Sequence, residues 1–389
     1  MQRSVDRILT THVGSLPRSP VLTDLLIRQE RDEAIDMQLL ARETQDAVAE
    51  VVRRQIEAGV DIINDGEQPR GGFQTYVPQR MKGFGGASSR PFPIDYRAFP
   101  AFAKAMANRF PRRSKVRDAP QAVAEVRYED LSAAEQECAL FEAASAAHAG
   151  KYVERFMTAA SPGIIATTML NAHYDSHENY VLALAREMKK EYELIVARGY
   201  VLQLDAPDLA MERVVLFQDK PLSEFLAVVE LHVAAINVAL ENIPRDRVRL
   251  HCCWGNWEGP HVHDVPMREI LPLLYRARMG GLSLEFANPR HQHEYAALRE
   301  HRLPDEMVLL PGVLDSTINY VEHPEVVANR ICEAVAAVGD RTRVIASTDC
   351  GFGTFAGYEY VASDVVWAKL AAATEGARIA SKRLWGQGC

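Results

Sequence analysis

The chain has 389 residues, of which 48% are hydrophobic and 25% charged, and its formal net charge is −8. That apolar content excludes a wholly disordered chain, and the acidic balance excludes a generic nucleic-acid binder, which needs a basic surplus. The length excludes one small sandwich or bundle and fits one large α/β barrel or two domains.

Short apolar runs alternate with long amphipathic patterns, as expected of βα units around a parallel sheet. The first run, Arg7 to Thr11, ends in His12-Val13-Gly14-Ser15. A helical pattern over 35–58 leads through Gly59 into Val60 to Ile63, and that run ends in Asp65-Gly66-Glu67. The third predicted strand is Gly163 to Thr168. A charged helix over 176–198 gives way to Tyr200 to Asp205, and a helix over 222–242 to Val248 to Cys253. A helix over 266–279 precedes Leu282 to Phe286; then come Met307 to Leu310 with Asp315, a helix from His323, Val344 to Ser347 with Asp349 and Cys350, and a last helix over 362–384. Eight strands separated by helices predict a single (β/α)8 barrel spanning 1–389. No GxGxxG follows the first strand, so a dinucleotide-binding open sheet is not supported. The stretch between Glu67 and the third predicted strand is too long for one crossover. Residues 70–160 therefore read as an inserted segment packed beside or over the barrel mouth, as a lid or a dimer arm.

No apolar run approaches 20 residues, which predicts no membrane-spanning helix. The first residues carry no apolar stretch followed by a small-residue cleavage site. The six cysteines, at 138, 252, 253, 332, 350 and 389, do not form a disulfide framework. These features point to a reducing cytoplasm and to no membrane or nucleic-acid partner. A basic cluster, Arg109, Arg112, Arg113, Lys115 and Arg117, reads as a solvated loop, and Cys389 as an exposed bystander.

In such a barrel the chemistry gathers at the C-terminal ends of the strands. There the chain carries His12 and Ser15, Glu67, Thr167 and Thr168, Asp205, His251 and Cys253, Glu285, Asp315, and Asp349 with Cys350. Buried in apolar runs, such residues are costly unless paired or coordinated. Residues i and i+2 of a strand share a face, so His251 and Cys253 can both face one metal while Cys252 faces away. With Glu285 and Cys350 on nearby strand ends, the set offers N, S, O and S donors, which suits tetrahedral Zn²⁺. His261, His263, His291 and His293 compete as ligands but read as loop histidines. The competing reading of Cys253 and Cys350 is buried filler, with Glu285 salt-bridged. A zinc held by two thiolates is poorly suited to activating water and better suited to binding a substrate thiol, whose pKa the metal depresses. The expected reaction is alkyl transfer to sulfur, with Glu285 as the displaceable ligand.

At this point the chain resembles a known family. His251-Cys252-Cys253, Ser283-Leu284-Glu285 and Ser347-Thr348-Asp349-Cys350-Gly351 are similar to the zinc-ligand segments in the C-terminal catalytic barrel of cobalamin-independent methionine synthase. The resemblance runs from Thr10 to the last helix. It implies that His251, Cys253, Glu285 and Cys350 bind zinc. It also implies that homocysteine is held through segments like Val13-Gly14-Ser15, Asp65-Gly66-Glu67 and Leu204-Asp205, so that Glu67 and Asp205 take the amino group and Ser15 the carboxylate. His12 and Asp315 are weaker pocket candidates. The family's second, N-terminal barrel has no counterpart here. Nor does the tryptophan that stacks on methyltetrahydrofolate, since Ala166 to Ala172 holds Thr168, Met169 and Asn171 instead. Trp254 and Trp257 are the aromatic candidates for a pocket.

The expected function is therefore a zinc-dependent transferase that methylates homocysteine or a similar small thiol, as in methionine biosynthesis. Its partners are the thiol and an alkyl donor, with a homo-oligomer possible. A second reading is an epoxide opened by a zinc-bound thiol, as in the related epoxyalkane:coenzyme M transferase, where Arg18, Arg70 and Arg290 would meet the sulfonate. Readings of another class are a metal-free decarboxylase barrel, like that of uroporphyrinogen decarboxylase, and a non-catalytic zinc-binding protein.

Overall fold

A computed structural model describes residues 1–107, 109–110, 113–114 and 117–386. Arg112, Lys115 and Cys389, named above, lie outside the described residues. The described residues form ten strands: β1 (Leu9–Thr10), β2 (Ile62–Ile63), β3 (Lys82–Gly85), β4 (Gln121–Arg127), β5 (Glu154–Ala160), β6 (Val201–Asp205), β7 (Val248–Cys252), β8 (Gly281–Leu284), β9 (Val308–Leu314) and β10 (Ile345–Thr348). Eight of them form one parallel sheet in the order β1-β10-β9-β8-β7-β6-β5-β2. Its two ends meet where Asp61 N–H donates to Thr10 O at 3.2 Å and Thr10 N–H donates to the Asp61 carboxylate at 2.8 Å. The result is the (β/α)8 barrel that the alternating pattern predicts.

Strand parity sets the interior. Leu9, Ile62, Phe156, Val201, Val308, Leu310 and Ile345 form one apolar layer across the barrel floor. Leu202, Leu204, Leu250 and Cys252 belong instead to the larger core between the strands and the outer helices. Moving up each strand by two therefore stays inside the barrel. Above Val201 come Gln203 and then Asp205, and β7 contributes Arg249 and His251. Arg249 donates to Gln203 Oε1 at 2.7 Å, and its other guanidinium nitrogens donate to the Thr11 hydroxyl and the His12 carbonyl. This middle layer is polar and internally satisfied, and it raises the next layer to the mouth.

The third predicted strand is wrong. Gly163 to Thr168 lies in the helix Pro162–Thr168, and the strand is Glu154–Ala160. A six-residue apolar run fits either element by periodicity. What decides it is Ser161-Pro162: the Ser161 side chain accepts Ile164 N–H at 3.1 Å, and proline occupies the first turn. Thr167 is consequently no strand-end group, and its hydroxyl donates back to Gly163 O at 3.1 Å. Thr168 likewise stands in that helix, where its hydroxyl accepts from Gln74 Nε2 at 3.3 Å. The last residues assigned to the insertion belong to β5 itself.

Between β2 and β5 the chain forms the antiparallel β3–β4 pair and the helix Ser132–Ala146. This stretch is tied down by a buried charge network. Glu137 receives Arg70 Nη2 at 2.8 Å and also pairs with Arg80, and Arg80 reaches Glu191 at 3.1 Å. Arg70 and Arg80 both lie over the Tyr76 ring at 4.3 Å.

The helix Leu222–Ala239 is long and apolar enough to cross a membrane by length and composition alone. In the structure Phe225, Val229, Val233, Ala235, Ile236 and Ala239 are buried in the protein core.

Removing one partner of the charge network leaves buried charge without compensation. Glu137→Gln is expected to lower unfolding stability by about 3–5 kcal/mol, read as a lower urea midpoint at unchanged slope.

Candidate metal centre and binding cavity

His251, Cys253 and Cys350 converge at the C-terminal mouth of the barrel. One ligand atom from each lies within 4.8 Å of the others, and all three residues are buried. The register explains the meeting. His251 pairs level with Asp205 on β6 and Ser283 on β8, Cys253 follows two residues up on the same inward face, and Cys350 follows β10. Cys252, one residue out of phase, is buried in the outer core.

The donor set has the chemistry of a metal site. His251 Nδ1 lies 3.4 Å from Ser283 Oγ, while His251 Nε2 is buried with no hydrogen-bond partner. An unpaired imidazole nitrogen beside two thiols is costly unless a further group completes it. The Cys253 thiol is pulled well below its ordinary pKa, first by the hydrogen bond from Cys350 and then by His251, while sharing with Cys253 drives the Cys350 thiol well up. The three side chains fit a soft or borderline divalent cation such as zinc.

Glu285 stands beside this trio without joining its tight convergence. One of its oxygens accepts Trp254 N–H at 3.2 Å and the other accepts Asn288 Nδ2–H at 2.7 Å. Burial, and then the Cys253 thiolate, push its pKa well above the ordinary carboxylate range. Asp349 fixes the backbone that follows it. Its carboxylate accepts the N–H groups of Phe286, Ala287 and Asn288 at 2.9, 2.8 and 2.7 Å.

A cavity of ≈ 610 Å³ opens beside the trio. Ser15, Glu67, Asp205, His251, Cys253 and Cys350 all line it. Glu67 sits in the left-handed region at φ 53°, which costs a non-glycine residue of the order of 1–3 kcal/mol and is characteristic of functional positions. Asp65 Oδ1 accepts its N–H at 3.0 Å and Asn64 Oδ1 accepts the Gly66 N–H at 2.8 Å, so the turn is locally supported. Gly14 makes room for the carboxylate: at φ +142°, a Cβ there would stand 2.6 Å from Glu67 Oε1. Glu67 Oε2 is buried without a partner. Burial raises the Glu67 pKa to about 7 and drives that of Asp205 well up, the latter reinforced by Glu67 itself. Gln203 Nε2 donates to Asp205 Oδ1 at 2.7 Å and also to Val13 O, which aims the Asp205 carboxylate.

Other expected groups stand elsewhere. His12 does not reach the cavity: its Nε2 pairs with Gln55 Oε1 at 2.8 Å, its Nδ1 accepts Gly14 N–H at 3.2 Å, and burial lowers its pKa to about 4. Asp315 lies on the far side of Glu285, in a separate pocket with Asp349 and Arg290, and its carboxylate accepts from Thr317. Arg18 donates to the carbonyls of Gly353 and Glu67, and Arg70 to Glu137 and Thr158, and neither lines the cavity. Arg290 is exposed and donates to His261 O at 3.1 Å. Trp254 is packed, with its indole N–H on Val265 O at 2.7 Å and its ring stacked on His291 at 4.0 Å. His261 and His291 both bond Asp264, and His263 bonds Asp95.

Arg90, Gln74, Met211 and Asn256 also line the cavity, and sequence reasoning missed them. Arg90 pairs with Glu212, yet its Nε and one Glu212 oxygen have no partner. Gln203 was legible, since it precedes Asp205 by two on an inward face. Arg90, on an irregular stretch, carried no periodic signal.

Residues 8–91 match the family described as cobalamin-independent synthase, catalytic domain. The chain is 26% identical over 373 residues to a 2-hydroxypropyl-CoM lyase of Xanthobacter autotrophicus, covering 89% of this chain and 87% of that one. It is 23% identical over 383 residues to a methionine synthase of Saccharolobus solfataricus, covering 97% and 96%. A solved B12-independent methionine synthase from Shewanella sp. W3-18-1, in complex with selenomethionine, shares the fold with a TM-score of 0.71 at 20% identity, covering 98% of this chain and 99% of that one. Along most of its length the chain is thus similar to methionine synthases and to a 2-hydroxypropyl-CoM lyase, and its first part matches the catalytic-domain model of the cobalamin-independent synthases.

Proposed function

We propose that this chain is a zinc-dependent S-alkyltransferase whose acceptor is a small aminothiol such as homocysteine. One observation carries the reading. An unpaired buried imidazole nitrogen and two thiols converge at the edge of a cavity that is also lined by two buried carboxylates, Glu67 with one oxygen unpartnered and Asp205. His251, Cys253 and Cys350 would hold the metal, with Glu285 as the fourth, exchangeable ligand, since its carboxylate is adjacent and held only by Trp254 and Asn288. Zinc bound there would supply acidity to a substrate thiol, keeping it as a nucleophilic thiolate at neutral pH.

The chain's own groups do the rest. Glu67 and Asp205 bind the ammonium of the acceptor, whose positive charge offsets the desolvation and mutual repulsion that raise their pKa values. Ser15 and its neighbouring backbone receive the acceptor's carboxylate. Gln203 and Arg249 hold Asp205 in place from below. In the transfer, the thiol sulfur's electron pair forms the new C–S bond, the donor's carbon–heteroatom bond breaks, and the leaving heteroatom takes its pair together with the proton the thiol gave up. The bond to Trp254 N–H and the clamp of Asp349 on Phe286 to Asn288 would position Glu285.

The 2-hydroxypropyl-CoM lyase relative favours a second reading in which a thiol bearing a strong acid opens an epoxide. Arg90, buried at the cavity wall with an unpartnered Nε, would then be the anion-binding group, a role that Arg18 and Arg70 cannot fill.

Two measurements test the proposal. Purified protein is expected to carry one zinc per chain. Cys350→Ser should lose it along with thiol binding, while Cys252→Ser, facing the outer core, should retain both. Titration calorimetry with homocysteine against coenzyme M then separates the two acceptor readings. Glu67→Gln or Asp205→Asn should weaken homocysteine binding at least tenfold without loss of zinc.

The raised carboxylate pKa values also fix a pH response. The folded metal-free protein keeps the Glu67 proton to about pH 7, whereas the unfolded chain releases it near 4.5. More protons are bound in the folded state across that window, so stability falls as pH rises through it. The loss is on the order of 3 kcal/mol. Urea midpoints of the metal-free protein at pH 4.5 and 7 should show this fall, and Glu67→Gln should flatten it.

A further inference from the structure

The HVHD segment at 261–264 and the HQHE segment at 291–294 supply no donor to the metal centre, yet two of their histidines are not solvated. The side chains of His261 and His291 keep 12% and 4% of their exposure. His291 Nε2 lies 3.0 Å from Asp264 Oδ2, and its Nδ1 lies 2.8 Å from Glu294 Oε2. His261 Nδ1 lies 2.9 Å from the same Asp264 oxygen, and its Nε2 lies 3.0 Å from Trp257 O. Ionised carboxylates and carbonyls only accept, so all four ring nitrogens carry protons. Both rings are therefore imidazolium, matched by two carboxylates in an enclosed quartet without net charge. The electrostatics agree. Burial opposes charge on His291, but Asp264 and then Glu294 outweigh it and raise its pKa to about 9. Asp264 raises that of His261 in the same way, and the two rings hold the Asp264 carboxyl below its ordinary range against its own burial.

The quartet joins two loops. His261 and Asp264 follow β7, and His291 and Glu294 follow β8. His291 is also where both grips on Glu285 are anchored. Its ring stacks on Trp254 with centroids 4.0 Å apart, and Trp254 N–H is one donor to Glu285. Its backbone N–H donates to Asn288 O at 3.1 Å, and the Asn288 side-chain amide is the other donor. Glu294 ties the far end of the quartet to the helix Met267–Leu274, since its Oε1 accepts Met267 N–H at 2.6 Å. The charge on His291 acts twice. It strengthens the two bonds to carboxylates that fix the plane of the ring, and it draws the indole face of Trp254 onto that plane.

We propose that His291 is a positioning residue: locked by Asp264 and Glu294, it aims the two donors that hold the Glu285 carboxylate beside His251, Cys253 and Cys350. The effect on a bound metal rests on the reading of Glu285 as its exchangeable ligand. The hold on Trp254 does not.

Two measurements on the full-length protein test this. In the first, cobalt(II) is loaded in place of zinc. Its ligand-field bands report the oxygen donor and its thiolate charge-transfer bands the two sulfurs. Glu285→Gln should shift the former and leave the latter. His291→Gln and Asp264→Asn should give the same shift, with cobalt released to EDTA at least tenfold faster than from the parent. Adding His291→Gln to Glu285→Gln should change nothing further. Circular dichroism identifies the folded variants, and either single variant suffices. Folded single variants with the parent's bands and release rate, beside a Glu285→Gln protein that alters both, would overturn the proposal. The second measurement needs no metal. Amide exchange at Trp254, followed by NMR with isotopically labelled tryptophan, should quicken at least tenfold in His291→Gln. Trp367, on the helix Ser363–Trp385, should be unaffected. Unaltered exchange at Trp254 also overturns the proposal. If Glu285→Gln leaves the cobalt spectrum untouched while Trp254 responds as expected, Glu285 is no ligand, and the positioning by His291 stands without it.

Discussion

The two-residue period of a parallel strand governs this molecule. Inside a closed barrel every second side chain is committed to the interior, and the interior has a floor, a middle and a mouth. Here the floor is apolar, and the middle is the Arg249–Gln203 pair. The mouth carries Asp205, His251 and Cys253 on adjacent strands. A shift of one residue in β7 would send His251 and Cys253 to the helix side and bring Cys252 inward. Register therefore decides whether the His–Cys–Cys trio exists at all.

The polar middle layer bears on the chemistry above it. Arg249 is buried over the Phe156 ring, and burial lowers its pKa to about 9. Through Gln203 it fixes the direction of the Asp205 carboxylate. The pair Glu67 and Asp205 is in turn kept short of compensating charge by the commitment of Arg70 to Glu137. The cavity thus brings two buried carboxylates short of positive charge into the same space as two thiols and an imidazole.

Much of this was legible in the sequence. Alternation alone separates Cys253 from Cys252, and the strand-end rule brings Ser15, Glu67, Asp205 and Cys350 to one cavity. Two of the expectations that failed show why. Gly163 to Thr168 is apolar enough for a strand, but the serine and proline before it start a helix. His12 sits at a strand end yet is consumed by Gln55 and Gly14, contacts that come from residues distant in sequence or from the backbone. The larger chamber of ≈ 1930 Å³ that borders the cavity was invisible for a related cause. Its Phe92, Phe110, Trp257 and Tyr358 come from four separate irregular stretches, where no periodic pattern records which side chains will meet.

The grip of Asp349 on three successive backbone N–H groups joins the loop after β8 to the loop after β10. Glu285 precedes that grip and Cys350 immediately follows Asp349, so the oxygen donor and one sulfur donor ride on a single staple. Were the carboxylate to swing aside for an incoming sulfhydryl, as the proposed exchange requires, its main chain would stay held by the Asp349 carboxylate. The backbone around the place it left would keep its shape for its return.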